Sequence, residues 1–123
     1  MRIVGDVGSA VVPKPTASIK ESATGTAVTG SMTDIVEYNI TDTKRFELAK
    51  IQLACETACW VNVLLDDEIV SYGIVGDEQT FVDWYPSGDA CAAIGDGSKT
   101  VVIRAEALST SGTVKGIIMG SEE

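Results

Sequence analysis

The stretch Cys59-Trp60-Val61-Asn62-Val63-Leu64-Leu65-Asp66-Asp67-Glu68-Ile69-Val70-Ser71-Tyr72 decides the fold. Cys59, Val61, Val63 and Leu65 alternate with Trp60, Asn62, Leu64 and Asp66. Successive side chains of a strand point to opposite faces, so this period of two gives one clearly apolar face. Asp66-Asp67-Glu68 interrupts the run with three carboxylates, and Ile69-Val70-Ser71-Tyr72 returns as a second β-prone segment. The spacing predicts a β-hairpin.

The pattern extends outward on both sides. Phe46-Glu47-Leu48 and Ile51-Gln52-Leu53 alternate in opposite phases, which predicts a bulge near Ala49-Lys50. Asp34 to Ile40 is a β-branched and aromatic run ended by Thr41-Asp42-Thr43. On the other side, Thr80 to Tyr85 reads as a strand stopped by Pro86-Ser87-Gly88-Asp89, and Ala90 to Ile94 as a short buried strand. Gly95-Asp96-Gly97-Ser98 is a tight turn. Thr100 to Leu108 is the longest strand, with Val101, Ile103, Ala105 and Ala107 on one face and Arg104 and Glu106 on the other. Ser109-Thr110-Ser111-Gly112 turns into a last strand, Thr113 to Met119. About eight strands with turn signals every 8–12 residues are the signature of an antiparallel β-sandwich. No window carries a helical apolar stripe, so the predicted class is all-β.

Composition shifts near Lys44. Fifteen of the first 30 residues are Gly, Ala, Ser or Thr, and no aromatic precedes Tyr38. Such a stretch buries little and cannot offset about 1–2 kcal/mol of backbone entropy per residue alone. Residues 1–44 are therefore predicted to be an extended N-terminal arm and lead-in strand, with residues 45–123 the sandwich. Residues 1–30 read either as a loose tail or as an arm ordered by a partner. The alternation in Ala23-Thr24-Gly25-Thr26-Ala27-Val28-Thr29 suits strand addition, and 30 extended residues reach roughly 100 Å.

The 123 residues carry 9 basic and 18 acidic side chains, a net charge of −9, and no histidine. Residues 1–44 hold four basic and five acidic groups, so nearly all of the negative charge falls on residues 45–123. The acidic balance disfavours nucleic-acid backbones, which need Lys and Arg to replace counterions. The absence of histidine removes the commonest general base and the commonest metal ligand. The longest apolar run is the five residues Ala90 to Ile94, too short to cross a bilayer. After Met1-Arg2-Ile3-Val4-Gly5-Asp6 no signal-peptide core follows, so the chain is expected to be made and used without export.

Weak motifs have plain structural readings. Cys55, Cys59 and Cys91 are an odd set, expected as small buried hydrophobes rather than a disulfide framework or a zinc site. Gly95-Asp96-Gly97-Ser98-Lys99 lacks the spacing and the following helix of a phosphate loop. Asp66-Asp67-Glu68 reads as a solvated turn, with Ca²⁺ the sharper alternative. No Ser or Thr has an evident base beside it, so no catalytic residue, cofactor site or metal site is assigned and an enzyme is not expected. Trp60, Trp84 and Tyr85 could stack on sugars, but strands with two partly apolar faces place them more naturally in the core or at a subunit interface.

Leu65-Asp66-Asp67-Glu68-Ile69-Val70, Asp83-Trp84-Tyr85-Pro86-Ser87-Gly88, Gly95-Asp96-Gly97-Ser98-Lys99-Thr100-Val101 and the ending Val114 to Glu123 carry a resemblance. From Phe46 to Glu123 the chain resembles the jelly-roll domains of decoration (cement) proteins on tailed-phage and archaeal-virus heads. The resemblance implies a jelly-roll-like sandwich with an extended N-terminal arm, assembled as a homotrimer on the major capsid protein. It also implies arm contacts to neighbouring decoration subunits and a place on the outer surface of the virion, after synthesis in the host cytoplasm. Nucleic acid and membrane are not expected partners. The alternative is a carbohydrate- or receptor-binding β-sandwich module of a phage spike or fibre.

Overall fold

A computed structural model describes residues 17–86 and 88–123. They form nine strands and, among the described residues, no helix: β1 (Ala17–Ala27), β2 (Thr33–Asn39), β3 (Arg45–Cys55), β4 (Cys59–Leu65), β5 (Glu68–Val75), β6 (Gln79–Trp84), β7 (Ala92–Ile94), β8 (Thr100–Ala107) and β9 (Gly112–Glu122).

The hairpin quoted above is the centre of a nested set. β4 pairs with β5, and outside it β3 pairs with β6, β2 with β8 and β1 with β9, every pair antiparallel. Cross-pairs of β3 with β9 and of β4 with β8 join these layers into two sheets, β1-β9-β3-β6 and β2-β8-β4-β5. One long antiparallel ribbon wound onto itself in this order is a jelly roll. The short β7 adds to the start of β3. The central turn is tight because Asp66 and Asp67 both take positive φ, 52° and 65°. Two left-handed residues make a turn whose twist matches the flanking strands, and Asp tolerates that conformation better than most residues.

Side chains of both sheets meet in one core. Phe46, Leu48, Ile51, Leu53, Val114 and Ile118 point in from the first sheet, and Val61, Val63, Val101, Ile103 and Ala105 from the second. The phase flip in β3 is a bulge: its register against β9 shifts between Leu48 and Lys50. One extra residue there lets Leu48 and Ile51, three apart, both face inward. β9 places glycine where large neighbours crowd its backbone. A Cβ on Gly116 would stand 2.8 Å from both Leu53 Cδ1 and Val36 Cγ2. One on Gly120 would stand 2.5 Å from the Glu47 carbonyl oxygen and 2.6 Å from the Phe46 ring.

Three expectations need correction. Thr100–Ala107 is not the longest strand, since β1, β3 and β9 each have 11 residues against its 8. Ala90 to Ile94 is not a buried strand. Only Ala92–Ile94 pairs, only Cys91 is buried, and Ile94 is 61% exposed. β7 pairs only with β3, so of this run Cys91 joins the core and Ala93 packs against it, while Ile94 is left outside. The stretch from Ala17 to Ala27, expected within an arm awaiting a partner, finds its partner in this chain. It pairs with β9 along its whole length, from Ala17 opposite Glu122 to Ala27 opposite Gly112. Residues 1–44 thus supply a strand to each sheet, β1 and β2, and Lys44 falls in the turn before β3. Residues 1–16, the remainder of the expected arm, and Ser87 lie outside the described residues.

Candidate functional site: the outer faces of the sandwich

Strand register fixes what each sheet shows to solvent. On the first sheet, Lys20, Met119, Lys50 and Trp84 form one row across β1, β9, β3 and β6. The next row is Ser22, Ile117, Gln52 and Val82, and the one after it Thr24, Lys115, Ala54 and Thr80. These rows contain three lysines and no carboxylate. Trp84 is 69% exposed, and the Lys50 ammonium lies 4.5 Å from its ring centre, a cation–π contact. A shallow hollow of about 230 Å³ lies between Gln52, Ala54, Lys115 and Ile117.

On the second sheet, Ile74, Trp60 and Glu106 form a row across β5, β4 and β8, and Tyr72, Asn62, Arg104 and Asp34 form the next, which reaches β2. Ile69, Leu64, Val102 and Glu37 follow. Arg104 Nε donates to Asp34 Oδ1 at 2.6 Å, which leaves Glu37 and Glu106 without an ion pair among the described residues. Tyr72 is 73% exposed, and Ile74, Ile69 and Trp60 are exposed around it. The large apolar side chains are gathered on this face rather than scattered singly.

The polar groups inside the sandwich serve its closure. At one end Glu122, on the inward face of β9, is buried. It accepts hydrogen bonds from the Tyr38 hydroxyl and, at 2.9 Å, from the Thr41 backbone N–H. Burial pushes the Glu122 pKa up. The hydrogen bonds from Tyr38 and Thr41, helped by the charge of Lys44, outweigh it and hold the carboxyl below its usual range. Burial, then the hydrogen bond to Glu122, raises Tyr38 in turn. At the opposite end Cys55 and Cys59, from facing sheets, are buried free thiols, and Cys59 Sγ donates to the Thr57 carbonyl at 3.2 Å. Burial and the neighbouring Cys59 push the Cys55 thiol up to about 12. Where β5 and β6 meet, Ser71 Oγ donates to Asp83 Oδ2 at 2.5 Å. The Tyr85 hydroxyl is buried nearby with no hydrogen-bond partner among the described residues, and burial raises its pKa.

Cys55, Cys59 and Cys91 are all buried and free. Asp66 pairs with Lys99 of the other loop at 2.9 Å, and Asp96 Oδ1 accepts from Ser98 N and Oγ, so the second loop is a locally capped turn tied to the first by an ion pair. Among the described residues no three Cys, Asp or Glu side chains converge as metal ligands would. Trp60, Trp84 and Tyr85 do not form one platform. Trp60 is on the outer face of the second sheet, Trp84 on that of the first, and Tyr85 turns inward. Sequence reasoning missed Tyr72 and Ile74 as the exposed centre of a face, and Glu122 as a buried carboxylate. The signal for Glu122 was present: Val114, Gly116, Ile118, Gly120 and Glu122 keep one period of two, so the last acid is on the same inward face. The chain matches no protein-family model and no curated protein.

Proposed function

We propose that the protein is a virion structural subunit, a decoration (cement) protein that binds the outer surface of a viral shell and stabilises it. The observation that carries this reading is the pair of outer faces with projecting aromatic and aliphatic side chains, Trp84 on one and Tyr72 with Ile74 on the other. Such faces suit adhesion, and a repeating lattice multiplies individually weak contacts. The likeness of Phe46 to Glu123 to decoration-protein jelly rolls supplies the viral setting. The partners are the major capsid protein and further copies of the chain, arranged as a trimer, with neighbouring decoration subunits contacted through the N-terminal arm. The work is mechanical, and no cofactor enters it.

The test is saturable co-sedimentation of the full-length protein with expanded shells of the virus whose genome encodes it. Bound shells should resist heat disruption better than bare ones. Removal of residues 1–16, which leaves every described strand in place, should weaken binding. Absence of binding to those shells would falsify the proposal.

A further inference from the structure

We infer that the two outer faces are halves of one contact: the lysine-bearing face of the first sheet docks on the acid-flanked face of the second sheet in another copy. This deepens the adhesive reading and rests on it only for the premise that these faces are there to be covered. The charge pattern selects the arrangement. The face with Lys20, Lys50 and Lys115 carries no carboxylate in its three rows, in a chain of net charge −9. The face with Tyr72 and Ile74 carries Glu37 and Glu106, neither of them ion-paired among the described residues. Either face against its own copy would oppose like charges across a desolvated contact, which costs affinity. The unlike pair opposes lysines to glutamates and aromatic side chains to apolar ones.

Shape agrees with charge. Tyr72 is a projecting ring, and the hollow over Ala54 on the other face is a recess. Trp84 and Val82 on β6 and Tyr72 and Ile74 on β5 border the same flank, where Ser71 bonds Asp83 and the Phe81 ring covers Gly73. A contact between unlike patches is heterologous, and copies joined by it follow one another head to tail, closing into a ring only if the rotation permits.

The experiment is a mixing test by sedimentation velocity on the full-length chain, with no shells present. Lys20→Glu with Lys115→Glu breaks the first face, and Tyr72→Ser with Ile74→Ser breaks the second. All four positions are solvent-facing, and circular dichroism checks folding. Trp84→Ser is an independent break of the first face that alters no charge. The wild type should associate, and each variant alone should associate about tenfold more weakly or worse. An equal mixture of a first-face and a second-face variant should form a 1:1 dimer and nothing larger, because one intact contact remains. A monomeric wild type, undiminished association of either variant alone, or a mixture that stays monomeric would overturn the inference. Because shell binding is measured separately, failure here leaves binding to the shell standing without a self-assembled trimer in solution, and failure of shell binding leaves the head-to-tail contact standing.

Discussion

The two ends of the sandwich close the same core by different chemistry. At the β3–β4 turn the plug is sulfur and small apolar groups: Cys55, Cys59, Val75 and Ala107 are all buried. At the β2–β3 turn the plug is a carboxylate, Glu122, roofed by Tyr38, whose ring lies 5.3 Å from that of Phe46. A thiol is stabilised inside simply by leaving water. A carboxylate is tolerated there only because Tyr38 and Thr41 give back the hydrogen bonds that water supplied. The first closure is indifferent to solution conditions over a wide range, and the second is conditional on one proton.

The largest loss of stability is expected at the carboxylate end. Phe46→Ala removes a fully buried ring from beneath Tyr38 and Gly120 and should cost about 3–5 kcal/mol in urea unfolding. Glu122→Gln keeps the shape and removes the charge, and should cost about 1.5–3 kcal/mol at neutral pH, the worth of hydrogen bonds to a charged group. It also carries the pH test. The folded-state pKa of Glu122 lies below its ordinary value, so its contribution is full above the ordinary glutamate pKa. It disappears as the pH falls through the lowered value. The stability gap between wild type and Glu122→Gln should therefore narrow on acidification below about pH 4.5, and a constant gap would contradict the account.

At the thiol end the effects are smaller and of a different kind. Cys55→Ser places a hydroxyl where sulfur sits and should cost about 1–3 kcal/mol for an unsatisfied buried group. Cys55→Ala, with no polar atom to desolvate, should cost less than the serine variant; the reverse order would mean that the site is wetter than its burial implies. With its thiol pKa pushed up to about 12, Cys55 should be alkylated by iodoacetamide negligibly in the native protein at pH 8 and fully in urea, read by mass spectrometry.

Much of the fold was legible because it is local. The Asp66-Asp67 turn, the phase flip at Ala49 and the alternation from Val101 to Ala107 are each contained within ten residues, and each appears where the pattern placed it. What was not legible depends on distant chain. Nothing in Ala17 to Ala27 states that its partner is Gly112 to Glu122, because small residues and threonine suit any exposed edge equally. Ala90 to Ile94 misled because apolar content is not burial when only one strand lies alongside. The outer faces were half visible: Trp60 was noted and the hairpin expected, but which residues of β5 stand beside Trp60 follows from a register that shifts between Val63 and Leu64.

The nesting of pairs around Asp66-Asp67 also sets an order of events. The central hairpin can form from neighbours in sequence, whereas β1 must wait for β9, with nearly the whole described chain between them. Contacts so remote slow folding, since the entropy of closing that loop is lost before any reward arrives. In the interval the inner ribbon offers open edges to other chains. Recovery from denaturant should consequently be slow and dependent on protein concentration, and the apolar strand ending in a buried acid is the piece whose late arrival decides between a closed roll and an aggregate.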